Sequence, residues 1–390
     1  MRVLHVIPSM SPARGGPTEN LRVTSRALTA LGIEVHIACT DDDGPGARLQ
    51  PPAGRTAQRD GVILRYFPRQ TSFYSFSAPL TLWLWRNLRN YDVVHIHALF
   101  NYPALAAGLL AWLRGVPFIL RPLGTLAPWG FRTRRPFLKA LSYRLIERPL
   151  LRRAASVHCT SQMEREECSG FRTVVIPNPV EQTPLETQLP EADRTILFLG
   201  RLDPKKGLDL LLPAFARVVA VRPDARLLIV GDGAPAFTLA LKNTVRELCL
   251  ESRVVFTGLL TGAGRREAWR KASVFALPSR TENFGISVVE AMERGLAVVI
   301  SDQVGIHDEI SSRHAGLVVR CEIGELADAI LRLLGDTELR QSLGASARVA
   351  SQALYSPASV ARLLANLYAD VAGGATTGAE VLAAPESKHV

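Results

Sequence analysis

Short apolar runs alternate with stretches of helical period along most of the chain. Residues 3–7, 33–39, 62–67, 93–97, 118–121, 156–159 and 174–176 are brief and rich in aliphatic side chains, as buried strands are. Between several of them, 18–31, 80–88, 104–113 and 136–151 space apolar residues three and four apart, which predicts helices. Strands joined through helices pair in parallel by right-handed crossovers, so this part is predicted to be a Rossmann-like α/β domain. From 177 to 190 the chain is proline-rich and polar without a period, and it reads as a connector. A second series has strands at 195–199, 226–230, 254–256, 274–277, 297–300 and 316–319, then helical stretches at 336–354 and 356–371. The predicted layout is one Rossmann-like domain over 1–180, a linker over 181–194, a second over 195–352, a C-terminal helix over 353–372 and a disordered tail over 373–390. Such sheets bind ligands at the carboxyl ends of their strands, so two parallel-sheet domains facing each other predict a ligand cleft.

Composition narrows the picture. At 390 residues there is enough chain for two full cores. Five cysteines, at 39, 159, 168, 249 and 321, form no Cys-x-x-Cys pair or zinc-like cluster, which fits a reducing compartment and predicts no metal. The first eight residues read as a strand rather than a signal peptide. The longest apolar stretch, 103–113, stops at Arg114, short of the roughly 20 residues a membrane-spanning helix needs. A cytoplasmic chain is expected.

The net charge of +10 is unevenly placed. Arg132, Arg134, Arg135, Lys139, Arg144, Arg148, Arg152 and Arg153 stand against Glu147 alone, with Phe137, Leu138, Leu141, Leu145, Ile146 and Leu150 at helical spacing among them. Two readings stay open for this basic amphipathic helix over 132–153. It packs on a core and solvates its charged face, or it touches an anionic membrane such as the inner face of the cell membrane, where each cation adds roughly 1 kcal/mol. Nucleic acid is not expected as a partner, because no nucleic-acid-binding motif accompanies the charge.

The candidate chemistry lies at strand ends. Glu282 and Glu290 stand eight residues apart, the first on a loop after the strand at 274–277 and the second about one turn inside a helix opened by Gly285, Ile286 and Ser287. The first amides of a helix lack internal partners and attract phosphate. A carboxylate on either side of them can grip hydroxyl groups flanking a bound diphosphate, an arrangement suited to a nucleotide sugar. Gly200 to Gly207 forms another strand-to-helix turn, containing Arg201 and Lys206; it lacks the P-loop order, yet its cations suit phosphate.

Other positions carry two readings each. Gly231-Asp232-Gly233 is either a simple tight turn or a turn close to a nucleotide. His95 and His97 share one strand face, where a histidine is commonly a satisfied core residue, but His97 lies at the carboxyl end where ligands bind. Gly15-Gly16 is an ordinary turn before a helix or a close approach to a ligand. The stretch 121–130, with Trp129, suits an acceptor pocket or packs against the basic helix. A metal reading of Asp41-Asp42-Asp43 is set aside, because Arg201, Lys206 and a helix terminus can neutralise a leaving diphosphate.

The acid pair, with Phe284-Gly285 before it and Ala291-Met292 after it, resembles the Glu-x7-Glu signature of glycosyltransferase family 4, the glycosyl transferases group 1. The resemblance covers nearly the whole chain except the tail. It implies the GT-B fold, with the last helix crossing back to the first domain, and retaining transfer from a nucleoside diphosphate sugar. By the same resemblance Glu282 contacts the donor sugar and Glu290 the ribose. Arg201, directly after Gly200, and Lys206 bind the donor diphosphate together with the amides of Phe284, Gly285 and Ile286. His97 lies near the sugar, and the turn at Gly16 lets backbone approach the donor.

The function expected is metal- and cofactor-independent transfer of a hexose to a glycan or lipid-linked acceptor, in envelope polysaccharide or glycoconjugate synthesis. An NAD(P)-dependent oxidoreductase with two Rossmann-like domains remains open, as do a sugar-nucleotide epimerase of the same architecture and a non-catalytic binding module. The oxidoreductase would need a phosphate fingerprint after a first strand, and neither series has one.

Overall fold

The structure is a computed structural model that describes residues 1–12, 15–44, 46–71, 74–129, 136–183 and 194–374. Most of the expected linker, the tail from 375, and Arg132, Arg134 and Arg135 of the basic stretch lie outside the described residues. The chain forms two compact units, Met1–Pro179 together with the chain from Pro357, and Val180–Ser356.

The sheet of the first unit contains β1 (Arg2–Ser9), β2 (Glu34–Thr40), β3 (Thr56–Arg59), β4 (Val62–Phe67), β5 (Val93–His97), β6 (Phe118–Arg121), β7 (Ser156–Cys159) and β8 (Thr173–Val175) in the order β3-β4-β2-β1-β5-β6-β7-β8. Alternation along each strand sends side chains to two separate cores. Leu4, Val6, Val94 and Ile96 face one, which helices Ala78–Asn87 and Tyr102–Arg114 cover with Leu84, Ala107 and Leu110. Val3, Ile7, Val35 and Val93 face the other, covered by Leu21 and Leu28 of helix Gly16–Ala30 and by Leu364, Leu367 and Tyr368 of helix Pro357–Ala372.

Two features depart from the sequence reading. β3 was not expected, and it pairs antiparallel with β4 across the turn at Asp60-Gly61. Its four residues are polar or small and mostly exposed, so no hydrophobic period marks it. The basic segment is also not one regular helix: Pro136–Ser142 and Arg148–Arg153 are α-helical, and Tyr143–Glu147 between them is a π-turn. Pro149 cannot donate to the carbonyl of residue 145 and its ring crowds that carbonyl, which a wider turn relieves.

The second unit holds β9 (Thr195–Leu199), β10 (Arg226–Val230), β11 (Val254–Gly258), β12 (Val274–Leu277), β13 (Ala297–Ser301) and β14 (Gly316–Val319), all parallel, in the order β11-β10-β9-β12-β13-β14. Its central strands are fully apolar inside, with Ile196, Phe198, Phe275 and Val299 without exposure. The strand order reverses between β9 and β12, so the loops after these two strands open the crevice where a doubly wound sheet binds its ligand.

Candidate functional site

Glycines hold those two loops together. Gly207 adopts φ +71, and a Cβ there would lie 1.9 Å from the carbonyl oxygen of Pro278, so only glycine lets the loop after β9 meet the loop after β12. The amide of Arg280 donates to Lys205 O at 2.7 Å, a second tie between the same loops. The Gly231-Asp232-Gly233 turn also has a structural part. A Cβ on Gly231 would fall 1.9 Å from Gly200 O and one on Gly233 2.1 Å from Leu202 O. That turn buttresses the loop after β9, and the Leu202 amide donates to Asp232 O at 2.9 Å.

On this frame Lys206 and Glu282 form an ion pair, with side-chain exposures of only 12% and 15%. Glu282 is fixed by its backbone to the loop after β13: its amide donates to Gln303 O at 3.0 Å, and its carbonyl accepts from the Gly305 amide at 2.8 Å. Burial alone would push the Glu282 carboxyl up. The charges of Lys206 and Lys205, the Lys206 hydrogen bond and the charge of Arg201 outweigh it, and the carboxyl stays below its ordinary value. Arg201 itself is exposed. Gly200 begins this loop at the end of β9, with its amide on Val230 O at 3.0 Å.

Gly285, at φ +94, caps helix Ile286–Glu293 without a side-chain hydrogen bond. Val288 and Val289 both donate to Gly285 O. The amides of Ile286 and Ser287 find no backbone acceptor among the described residues, and free donors at a helix mouth attract anions. Phe284 is buried and packs edge-on against Tyr355, anchoring the turn. Glu290 lies one turn in, and Arg265 Nη2 donates to both of its carboxylate oxygens at 2.7 and 2.6 Å. Sequence reasoning missed Arg265, since nothing in helix Gly262–Lys271 ties that position to Glu290 before the fold is known.

In the first unit the corresponding reversal lies between β1 and β5. The left-handed residue after β1 is Gly15, at φ +70, while Gly16 is already the first residue of the helix; the turn expected at Gly16 is thus made by its predecessor. His97 ends β5 with 2% exposure and is followed by Ala98 at φ +67, a strained backbone for a residue with a side chain.

Four imidazoles pack behind this strand end. His5 Nδ1 lies 2.9 Å from His97 Nε2. His158 Nε2 lies 2.7 Å from Ile176 O, His158 Nδ1 3.2 Å from His95 Nε2, and His95 Nδ1 2.8 Å from Tyr368 OH. Burial first, then the charge of Arg121, pushes the His5 imidazole down to about 3. Burial and neighbouring cationic groups likewise hold His95, His97 and His158 well below the ordinary imidazole value. The ring nitrogens of His5, His95 and His97 approach closely enough to suggest a metal cradle, but both His95 nitrogens are engaged in hydrogen bonds.

Arg121, register partner of His97, is buried and donates to Asn20 Oδ1 and Asn178 Oδ1. Glu164 secures the loop after β6, accepting from the Gly124 amide at 2.6 Å. Asp41 and Asp42, after β2, are occupied too, and both are buried. Asp42 pairs with Arg69, and Asp41 accepts from the Arg69 amide at 2.7 Å and from Arg55 at 3.2 Å.

Comparison with known proteins agrees with this architecture. Residues 180–350 match the family model described as glycosyl transferases group 1, and residues 15–184 match that of the glycosyl transferase 4-like domain. The chain is 31% identical over 312 residues to a phosphatidyl-myo-inositol mannosyltransferase of Mycobacterium tuberculosis, covering 76% of this chain and 78% of that protein. It is 30% identical over 403 aligned positions to a D-inositol 3-phosphate glycosyltransferase of Corynebacterium glutamicum, covering 94% and 95%. Among solved structures, sucrose-phosphate synthase from Thermosynechococcus elongatus superposes with a TM-score of 0.76 at 21% identity, covering 96% of this chain and 100% of that one. HepE from Anabaena in complex with UDP-glucose superposes with a TM-score of 0.71 at 21% identity, covering 95% and 100%.

Proposed function

Because the chain belongs to the glycosyl transferases group 1 family and has its two-domain GT-B fold, we propose that it moves a hexose from a nucleoside diphosphate sugar to a glycan or lipid-linked hydroxyl. The reading adds retention at the anomeric carbon and a place in cell-envelope glycoconjugate synthesis. One observation carries it: the loops after β9 and β12 bring Lys206 and Glu282 together beside an uncapped helix mouth at the switch point of the second sheet.

In this reading the amides of Phe284 to Ile286, with Arg201 and Lys206, receive the diphosphate and stabilise the charge it gains as it leaves. These groups supply the positive charge, so the reading includes no resident metal or cofactor. Glu282 orients the sugar hydroxyls, Glu290 holds the ribose, and Gly200 lets backbone come close to the phosphates. In the first unit His97 hydrogen-bonds the sugar, and the turn at Gly15-Gly16 admits the donor. The bond from the anomeric carbon to the phosphate oxygen breaks, and the acceptor oxygen bonds to the same face. The acceptor proton passes to the departing phosphate oxygen.

Two relatives bear names that specify phosphatidyl-myo-inositol and D-inositol 3-phosphate, which supports a ring hydroxyl as acceptor. The family membership disfavours the oxidoreductase and epimerase alternatives. Incubating the protein with UDP- and GDP-hexoses and a panel of inositol and glycan acceptors, then reading the product anomer by NMR, tests the reading. Transfer with the donor's configuration supports it; an inverted product overturns retention, and no transfer from any donor overturns the assignment.

The reading extends to peripheral contact with an anionic membrane. Among the described residues no helix is long and apolar enough to cross a bilayer. Phe137 and Leu145 on the basic segment are 78% and 64% exposed. Trp85 and Trp112, on the two neighbouring helices, are nearly half exposed and lie under the guanidinium groups of Arg114 and Arg153. Apolar and indole side chains interleaved with cations on one unit match the chemistry of an anionic lipid surface.

A further inference from the structure

We infer that His5 is a positioning residue that fixes the proton of His97 on Nδ1, so that His97 offers an N–H donor rather than a bare nitrogen; the catalytic meaning of this rests on the reading that His97 contacts the donor sugar. The assignment follows from the partners of each nitrogen. A backbone carbonyl only accepts, so the bond from His158 Nε2 to Ile176 O places the His158 proton on Nε2. The neutral His158 then accepts at Nδ1 from His95 Nε2–H, and the neutral His95 accepts at Nδ1 from the Tyr368 hydroxyl. This chain is closed and satisfied at every atom named.

The pair His5–His97 stands beside it with one choice left. His5 Nδ1 either donates to His97 Nε2 or accepts from it across 2.9 Å. His5 Nε2 is buried without a partner. If His5 accepted at Nδ1, Nε2 would carry an N–H with nothing to bond, the rarer and costlier kind of orphan in a protein interior. The other tautomer pair places the free N–H on His97 Nδ1 instead. His97 keeps 2% exposure where His5 has none, so water or a ligand can meet an N–H there, whereas His5 Nε2 is buried without a partner. His5 therefore carries its proton on Nδ1 and donates to His97 Nε2, which leaves the His97 proton on Nδ1. No partner among the described residues takes up that Nδ1.

The parallel register explains why His5 reaches it. His5 is the β1 neighbour of His95 on β5, and its ring stacks on that of His97 at a centroid distance of 5.2 Å. Selective 15N-histidine labelling of the intact protein reads the tautomer directly through long-range nitrogen–proton correlations. The expected result is a protonated Nδ1 and a bare Nε2 on His97; the opposite pattern overturns the inference. A kinetic arm uses His5→Leu, which removes the donor, and His5→Asn, whose side-chain amide donates from nearly the place of Nδ1. His5→Leu should lower kcat about tenfold, the effect of one lost buried hydrogen bond, and His5→Asn should restore most of it at unchanged donor KM. Equal losses in both folded variants overturn the positioning role. His97→Ala with unchanged turnover would instead sink the sugar-contact reading while leaving the tautomer result standing.

Discussion

The ammonium of Lys206 and the carboxylate of Glu282 are paired across the two loops that flank the switch point, and both are largely withdrawn from water. Each is proposed to serve a different part of the donor, Lys206 the diphosphate and Glu282 the sugar. In the free protein they neutralise each other, so an incoming donor meets a preformed, electrically balanced pair. Its phosphates share the cation as its hydroxyls share the anion. Lys206→Ala should lower kcat/KM by about a hundredfold, the scale of one lost charge-stabilising donor. It should also weaken the bare nucleoside diphosphate, whereas Glu282→Gln should cut turnover with little change in diphosphate affinity. Calorimetric titration with UDP and GDP beside initial rates checks the split; identical losses in both variants would contradict the two roles.

Gly207 is expected to be intolerant of any side chain. Gly207→Ala places a Cβ 1.9 Å from Pro278 O and a non-glycine residue at φ +71. Gly115 has a similar φ of +69 but open space around it. Gly115→Ala should cost about 1 kcal/mol of strain. Gly207→Ala adds a steric clash and should cost about 3 kcal/mol or more, a fall of roughly 10 °C in melting temperature for a unit of this size. Thermal scans of the two variants decide it. Equal shifts would show that the loops do not depend on that close approach.

The alternation of strands and helices was legible because parallel strands are buried on both faces, and Ile196-Leu197-Phe198 reads as strand wherever it falls. The positions of Arg201, Lys206, Glu282 and Glu290 on loops and helix followed from the same pattern. What the chain did not disclose were pairings across long separations. Lys206 meets Glu282 from 76 residues away and His5 meets His97 from 92. Arg265 meets Glu290 only because neighbouring helices of the second unit converge. Nothing in the sequence sets His5 apart within its apolar strand; the β1–β5 register is what puts it against two other imidazoles. β3 stayed hidden because an exposed edge strand needs no apolar period.

The buried imidazoles predict acid lability. His5 titrates near 3 in the folded chain, and His95, His97 and His158 are also well below the ordinary value, while unfolded histidine titrates near 6.5. Below about pH 6.5 the unfolded chain therefore binds protons that the folded chain refuses, and stability falls as pH falls. At pH 5 His5 by itself should have removed roughly 2 kcal/mol, and His95, His97 and His158 act in the same direction. Arg121 opposes protonation of the cluster. Urea unfolding at pH 7.5 and pH 5, followed through the first unit, should show a large drop; a flat profile would mean that the cluster takes up protons while folded.

Arg265 should matter to the nucleotide through Glu290 rather than by itself. Its two hydrogen bonds hold the carboxylate in one orientation, with Arg294 Nη1 fixing the Glu290 carbonyl at 2.7 Å. Arg265→Ala should weaken nucleoside diphosphate binding about tenfold. The loss should shrink for a 2′,3′-dideoxy nucleotide, which offers Glu290 no hydroxyl, and also in a Glu290→Gln background. An undiminished loss in both comparisons would show Arg265 acting directly on the ligand.

The mixed apolar and basic face of the first unit is predicted to bind vesicles in a charge-dependent way. Arg144, Arg148, Arg152 and Arg153 are exposed on the segment that also exposes Phe137 and Leu145. The acid within that segment, Glu147, is buried and takes hydrogen bonds from Tyr74 and Ser142, so it does not screen the cations at the surface. Co-sedimentation should be strong with vesicles containing phosphatidylglycerol, weak with phosphatidylcholine alone, and reduced by salt. Removing two cations together, Arg148→Ala with Arg152→Ala, should weaken binding about thirtyfold at roughly 1 kcal/mol each. Trp85→Ala with Trp112→Ala should weaken it without altering its salt dependence, because the indoles contribute apolar area rather than charge. Binding that ignores lipid charge, or no binding to either vesicle, would mean that the segment merely solvates its outer face.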